Sequence, residues 1–143
     1  MSYATLAQLI DRHGENVLIL LTDRGVTPLG MIDAAVVARA LADTDAVIDA
    51  HLKARYILPL AEVPPLLVDL AAAIALWKLH RHEPNQKVKD DYSDAMRQLR
   101  ALSEGALRLP VASGAESIGS GGTGARVTDR ERPLTADSLK GYI

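Results

Sequence analysis

Through most of the first hundred residues, apolar side chains recur at three- and four-residue steps, the period of helices that bury one face. Ser2 or Thr5 can cap a first helix in which Leu6, Leu9 and Ile10 share a face. Gly14 offers a stop in the left-handed conformation that glycine tolerates. The next run, Glu15 to Leu21, contains Val17, Leu18, Ile19, Leu20 and Leu21 in succession and reads as a second helix, although a buried strand fits the same run. Thr22-Asp23-Arg24-Gly25 and Thr27-Pro28-Leu29-Gly30 carry turn chemistry, which predicts a loop.

From Met31 to Tyr56 the helical period is strong, with Ile32, Ala35, Val36, Ala40, Ala46, Val47, Ala50, Leu52 and Ala54 near one face. Asp43-Thr44-Asp45 interrupts it. Two readings are open: a polar turn on the exposed face of one long helix, or a break recapped by Thr44 or Asp45. Leu58 to Pro65 must be extended or turned, because each proline pushes its predecessor away from helix. A helix then starts at the proline pair, with Pro65 at its first position, and His80, Arg81 and His82 crowd the last turn before Pro84. A further helix, Gln86 to Ser103, presents Val88, Tyr92, Ala95, Met96, Leu99 and Leu102 along one stripe and ends at Gly105. The expected fold class is all-α, a compact bundle of about four to five helices over residues 1–109.

After Pro110 the composition shifts to Gly and Ser, as in Gly119-Ser120-Gly121-Gly122-Thr123-Gly124, which has the character of a linker. Residues 110–143 therefore form a linker and an extended C-terminal arm. The arm ends in a short apolar motif, Leu139, Tyr142 and Ile143, too small to fold alone.

Composition narrows the function. With no Cys, disulfides, thiol nucleophiles and thiolate metal sites are excluded. With no Phe and one Trp, the core must be aliphatic. A formal net charge of -2 gives no global attraction to nucleic acid. The N-terminus lacks the basic start and apolar core of a signal peptide, so synthesis in a cytoplasm is expected. The apolar stretch Pro65 to Leu79 is shorter than the roughly 20 residues that cross a bilayer, so no membrane partner is expected.

Candidate chemistry is sparse. His80, His82 and Glu83 resemble a metal cluster, but residues two apart on a helix diverge by about 200°. Asp43, Asp45 and Asp49 mimic the opening of a calcium loop, yet Ile48 stands where that loop needs Gly. The Gly-rich run lacks the preceding strand and the Lys-Ser or Lys-Thr of a phosphate loop. His51 lies amid Asp49, Lys53 and Arg55 without a nucleophile beside it. His51, Lys53, Arg55, Arg81, Lys87 and Lys89 could face a polyanion, although acidic neighbours dilute each cluster. No catalytic residue, metal or cofactor is expected, and the chain does not read as an enzyme.

Several segments carry a more specific signal: Tyr3-Ala4-Thr5-Leu6, the run Asp33 to Leu41, and Asp49-Ala50-His51-Leu52-Lys53-Ala54-Arg55-Tyr56-Ile57-Leu58-Pro59-Leu60. They are followed by Pro64-Pro65-Leu66-Leu67, Asp69-Leu70-Ala71 and Trp77-Lys78-Leu79. In this order, over roughly residues 1 to 109, the chain resembles the family of small virion proteins encoded in the head gene cluster of Mu-like phages and prophages. The resemblance implies a head-tail connector, or adaptor, a helical subunit forming a ring, expected to be twelvefold, beneath the portal. Its partners would be the portal protein, neighbouring copies, tail or stopper proteins, and genome DNA passing through the channel without sequence-specific binding. Its place would be the virion neck, and no catalytic residues are inherited. A tail terminator, a ring usually sixfold, and a small DNA-binding regulator are the competing readings. For a connector, the arm is the expected docking element, with Leu134, Leu139, Tyr142 and Ile143 as apolar anchors and Arg126, Arg130 and Arg132 meeting acidic partners.

Overall fold

The computed structural model describes residues 1–110. Its first element is α1 (Leu6–His13), opened by a reciprocal cap. The Thr5 hydroxyl accepts from the Gln8 backbone N–H at 3.3 Å, and the Gln8 side chain accepts from the Thr5 N–H at 2.9 Å. Gly14 ends the helix with a φ of 87°, as a stop glycine should, but its ψ of 146° keeps the backbone extended rather than left-handed helical. One residue thus closes α1 and opens α2 (Glu15–Thr22). The ambiguous apolar run is therefore helix: Leu18 and Thr22, four apart, are buried, while Val17 and Leu20 face out.

The third helix, α3 (Ala34–Leu52), starts at Asp33, whose carboxylate accepts from the Ala35 and Val36 N–H groups at 3.0 and 3.4 Å. It runs without a break through Asp43-Thr44-Asp45. The expected polar turn on an exposed face is wrong at its centre. Thr44 is fully buried, its hydroxyl donating to the Ala40 carbonyl at 2.7 Å, so the polar group is satisfied inside the helix and only its methyl needs a core. Asp45 and Asp49 hold the N-terminal segment, accepting from the Tyr3 N–H at 3.0 Å and the Tyr3 hydroxyl at 2.5 Å. The buried face is Val37, Ala40, Thr44, Ile48 and Leu52, whereas Ala35, Ala46 and Ala50 are exposed.

After a turn region, α4 (Pro65–Leu79) begins with Pro65 in its first turn, where a missing N–H costs nothing. It is the central element, packed on α3 and on α5 (Gln86–Glu104), with α1 also against it. Burial on several sides is why its sequence is apolar nearly all round. The helix stops at Leu79, earlier than expected, so His80, Arg81 and His82 lie beyond its last turn. Two side chains serve that end: the His80 ring nitrogen Nδ1 is bonded to the Leu76 carbonyl and Arg24 donates to the Leu79 carbonyl, each at 2.8 Å. The fifth helix is capped by Asn85 and ends at Gly105 in the left-handed conformation, φ 82°.

Two contiguous clusters form the core. One gathers Tyr3, Ile48, Leu52, Tyr56, Leu67, Leu70, Ile74, Leu99 and Leu102; the other joins Leu9, Leu18, Val37, Ala72, Ala75 and Leu79. Helix α4 supplies both, so it couples the α3–α5 side to the α1–α2 side. The seam between α4 and α5 carries the stacked rings of Trp77 and Tyr92, with centroids 4.1 Å apart and planes at 12°. The chain is tied down at its far end by Leu109, whose N–H donates to the Tyr56 hydroxyl at 3.1 Å.

Candidate functional site

The arm residues singled out from sequence, Arg126, Arg130, Arg132, Leu134, Leu139, Tyr142 and Ile143, lie outside the described residues. Within residues 1–110 the titratable groups mostly serve structure. Glu83 pairs with Lys89, and Lys87 pairs with Asp91 at 2.6 Å. The Lys89 bond holds the Glu83 carboxyl below its ordinary range, and the Asp91 bond raises the Lys87 ammonium. Two cations of the suspected polyanion surface thus already have anionic partners. The His51 ring nitrogen Nδ1 is bonded to the Val47 carbonyl of its own helix at 2.9 Å. Burial first, and then the Asp49 hydrogen bond and the charges of Asp49 and Asp45, push the Tyr3 phenol far up, so it stays neutral and acts as a donor. No three His, Cys, Asp or Glu side chains converge for a metal ion among the described residues.

Two surface features stand out instead. The first is the loop between α2 and α3, residues 23–33, which a short polar network holds in shape. The Asp23 carboxylate accepts from the Leu29 and Gly30 N–H groups, both at 2.9 Å. The Thr22 hydroxyl accepts from the Asp33 N–H at 3.0 Å and donates to the Leu18 carbonyl at 2.7 Å. Arg24 bonds both the Leu21 and Leu79 carbonyls. On this frame Val26 is fully exposed, Leu29 is 72% exposed and Met31 65%, with Leu20 of α2 at 82%. A loop so braced that still turns large apolar groups to water has the makings of a contact surface.

The second is a cleft of about 570 Å³ where the end of α1 meets α4 and the first half of α5. Its floor is Leu70, Ala72, Ala73, Leu76, Val88 and Ala95. The rim is charged: Arg12 is bonded to Asp69, Lys87 to Asp91, and Asp94 to Arg97 outside the cleft at 3.0 Å. His13 stands in the wall, its ring bonded to the Ala72 backbone while its buried Nε2 has no partner. Burial lowers the affinity of this imidazole for a proton, and the charges of Arg12 and Lys87 lower it further. Sequence reasoning found neither the loop's apolar triad nor His13, because the cleft joins three segments far apart in the chain.

Fold and surfaces together define a small all-α protein whose distinctive outward features are an apolar loop and a charged-rim cleft. Among the described residues no helix is long and apolar enough to cross a membrane. Residues 3–127 match the model of the family described as Bacteriophage Mu, Gp36. Gene product J of Escherichia phage Mu is 34% identical over 143 residues, covering 100% of both chains. The Mu-like prophage FluMu protein gp36 of Haemophilus influenzae is 30% identical over 141 residues, 99% of this chain and 98% of that protein. The chain belongs to the Bacteriophage Mu Gp36 family. This upholds the resemblance drawn from the Tyr3 to Leu79 segments, and the matched region runs past residue 109 into the Gly-rich stretch.

Proposed function

We propose that this phage protein is a non-enzymatic head-tail connector subunit, which assembles with neighbouring copies into a twelvefold ring beneath the portal and around the DNA channel. The observation that carries the reading is the braced apolar loop, with Val26, Leu29 and Met31 turned outward on a body of a Mu-phage family. A ring of identical subunits needs two unlike surfaces on each copy, and the exposed apolar loop can supply one of them. In this reading the protein is made in the host cytoplasm and resides at the virion neck. The arm reaches the portal through Leu134, Leu139, Tyr142 and Ile143, with Arg126, Arg130 and Arg132 on acidic partners. Tail or stopper proteins meet the ring's other face, and DNA passes without base-specific contact.

A reconstruction of the particle neck tests this directly. Twelve copies between portal and tail are expected, and a sixfold ring at the tail would make the protein a terminator instead. Deleting residues 125–143 should abolish attachment to purified portal while leaving helicity unchanged; retained attachment refutes the role given to the arm. A duplex gel shift that weakens steeply with added salt would favour a DNA-binding regulator, since a connector should show at most weak, non-specific association.

A further inference from the structure

The cleft between α1, α4 and α5 has a floor of small and aliphatic side chains and a rim with three aspartates, with the His13 imidazole in its wall. Its volume of about 570 Å³ falls in the range of clefts that bury a drug-sized ligand, which is room for large side chains. Asp69, Asp91 and Asp94 each hold one cation, yet their side chains stay 65%, 45% and 56% exposed, so each can accept from a second donor. The partner of Asp94, Arg97, lies outside the lining, so three part-exposed carboxylates face the cleft beside Arg12 and Lys87.

We propose that this cleft is the receptor for residues 134–143 of the same chain type, Leu134-Thr135-Ala136-Asp137-Ser138-Leu139-Lys140-Gly141-Tyr142-Ile143. This rests on the arm being a docking element, and it names the site the same residues occupy while no portal is bound. The match is chemical. Leu139, Tyr142 and Ile143 supply apolar bulk for the alanine-lined floor, and the preceding Arg126, Arg130 and Arg132 can donate to the part-exposed carboxylates of Asp69, Asp91 and Asp94. Reach also fits. The described chain ends at Pro110, just past the C-terminal end of α5, and the cleft lies along its first half. The distance back along the helix from Gly105 to Asp91 is about 21 Å at the standard rise. The 23 residues from 111 to 133 could span up to about 75 Å if fully extended, so chain length does not keep the segment from the cleft. The segment can therefore enter the cleft of its own body or that of an adjacent subunit.

The chain has no native cysteine, so Ala136→Cys gives a single attachment point for a nitroxide label. In the full-length protein, paramagnetic broadening should concentrate on the amides of His13, Ala73, Asp91 and Asp94. It should be lost when Ala73→Trp fills the cleft. As that variant can disturb packing, Leu139→Asp with Tyr142→Asp changes only the arm and should abolish the same broadening. Mixing isotope-labelled, unspin-labelled protein with spin-labelled, isotope-free protein assigns the signal to the chain's own arm or to a second copy. Broadening centred on the loop at Val26 to Met31, or spread evenly over the body, overturns the proposal. If the cleft stays unbroadened while removal of 125–143 still abolishes portal attachment, the connector reading stands and only this receptor is lost.

Discussion

Replacing Leu29 by Asp separates a contact surface from a folding surface. In the isolated chain Leu29 is 72% exposed, and the bond that fixes its position is made by its backbone N–H to Asp23, not by its side chain. Removing the side chain therefore takes little from the core, and the expected change in stability is within about 0.5 kcal/mol, as for surface positions generally. In the ring proposed above the same side chain would be buried. Full burial of a leucine contributes about 1.5–3 kcal/mol, of which the exposed part leaves roughly 1–2 kcal/mol to be gained at the interface. Losing it weakens each subunit contact by about five- to thirtyfold, before adding the penalty of desolvating a carboxylate. Thermal unfolding by circular dichroism should give an unchanged midpoint, while sedimentation in the presence of purified portal should show the protein failing to form ring-sized assemblies. Two results refute the reasoning. A midpoint lowered by more than a few degrees would make Leu29 part of the folding core, and undiminished association would remove the loop from the interface.

Leu99→Ala, at a fully buried position of α5, should destabilise by about 2–5 kcal/mol, read as a lowered urea midpoint with an unchanged slope. Gly105→Ala meets a φ of 82° and the Arg55 guanidinium in its path, so a loss of about 1–2 kcal/mol is expected, with the α5 C-terminal amides exchanging faster. The depressed proton affinity of His13 fixes the sign of its pH effect. The unfolded chain takes up a proton near the ordinary value of 6.5 while the folded chain does not, so stability falls as pH drops below 6.5 and levels off once the folded imidazole also protonates. Urea midpoints measured against pH should show this loss in the parent chain and a reduced one in His13→Gln; identical profiles would contradict the assignment.

Much of the body was legible in the sequence because its helix ends are written in local chemistry. Thr5 with Gln8, Pro65, Asn85 and Gly105 each act within a few residues, so their effect needs no knowledge of the fold. The face of α3 was less legible. Alanine is small enough to be inside or outside, and Ala35, Ala46 and Ala50 went outside. Thr44 was counted as polar although a hydroxyl bonded to the carbonyl four residues back carries no burial penalty. The groups serving the end of α4 were sought in the adjacent His-Arg-His run, and His80 does bond the Leu76 carbonyl, but Arg24 joins it from 55 residues earlier. Loop and cleft were hidden for the same reason. Asp23 organises Leu29 and Gly30 at a separation no periodic pattern reports, and His13, Ala73 and Asp94 meet only after three helices pack. The family resemblance was readable because it rests on ordered runs in the turn and helix starts, which are the same local signals.

The stack of Trp77 on Tyr92 has a practical consequence. Trp77 is the chain's one tryptophan and sits at the seam where α5 leans on the central helix. Its emission is thus a built-in gauge of that seam alone, blind to events at α1 and α2. Fluorescence and circular dichroism followed side by side would show whether α5 separates before the remaining helices melt. If the two traces coincide, the α4–α5 pair and the α1–α2 side unfold as one cooperative unit. The same ring, partly open to water, would also register a partner settling over it, with no dye or tag added.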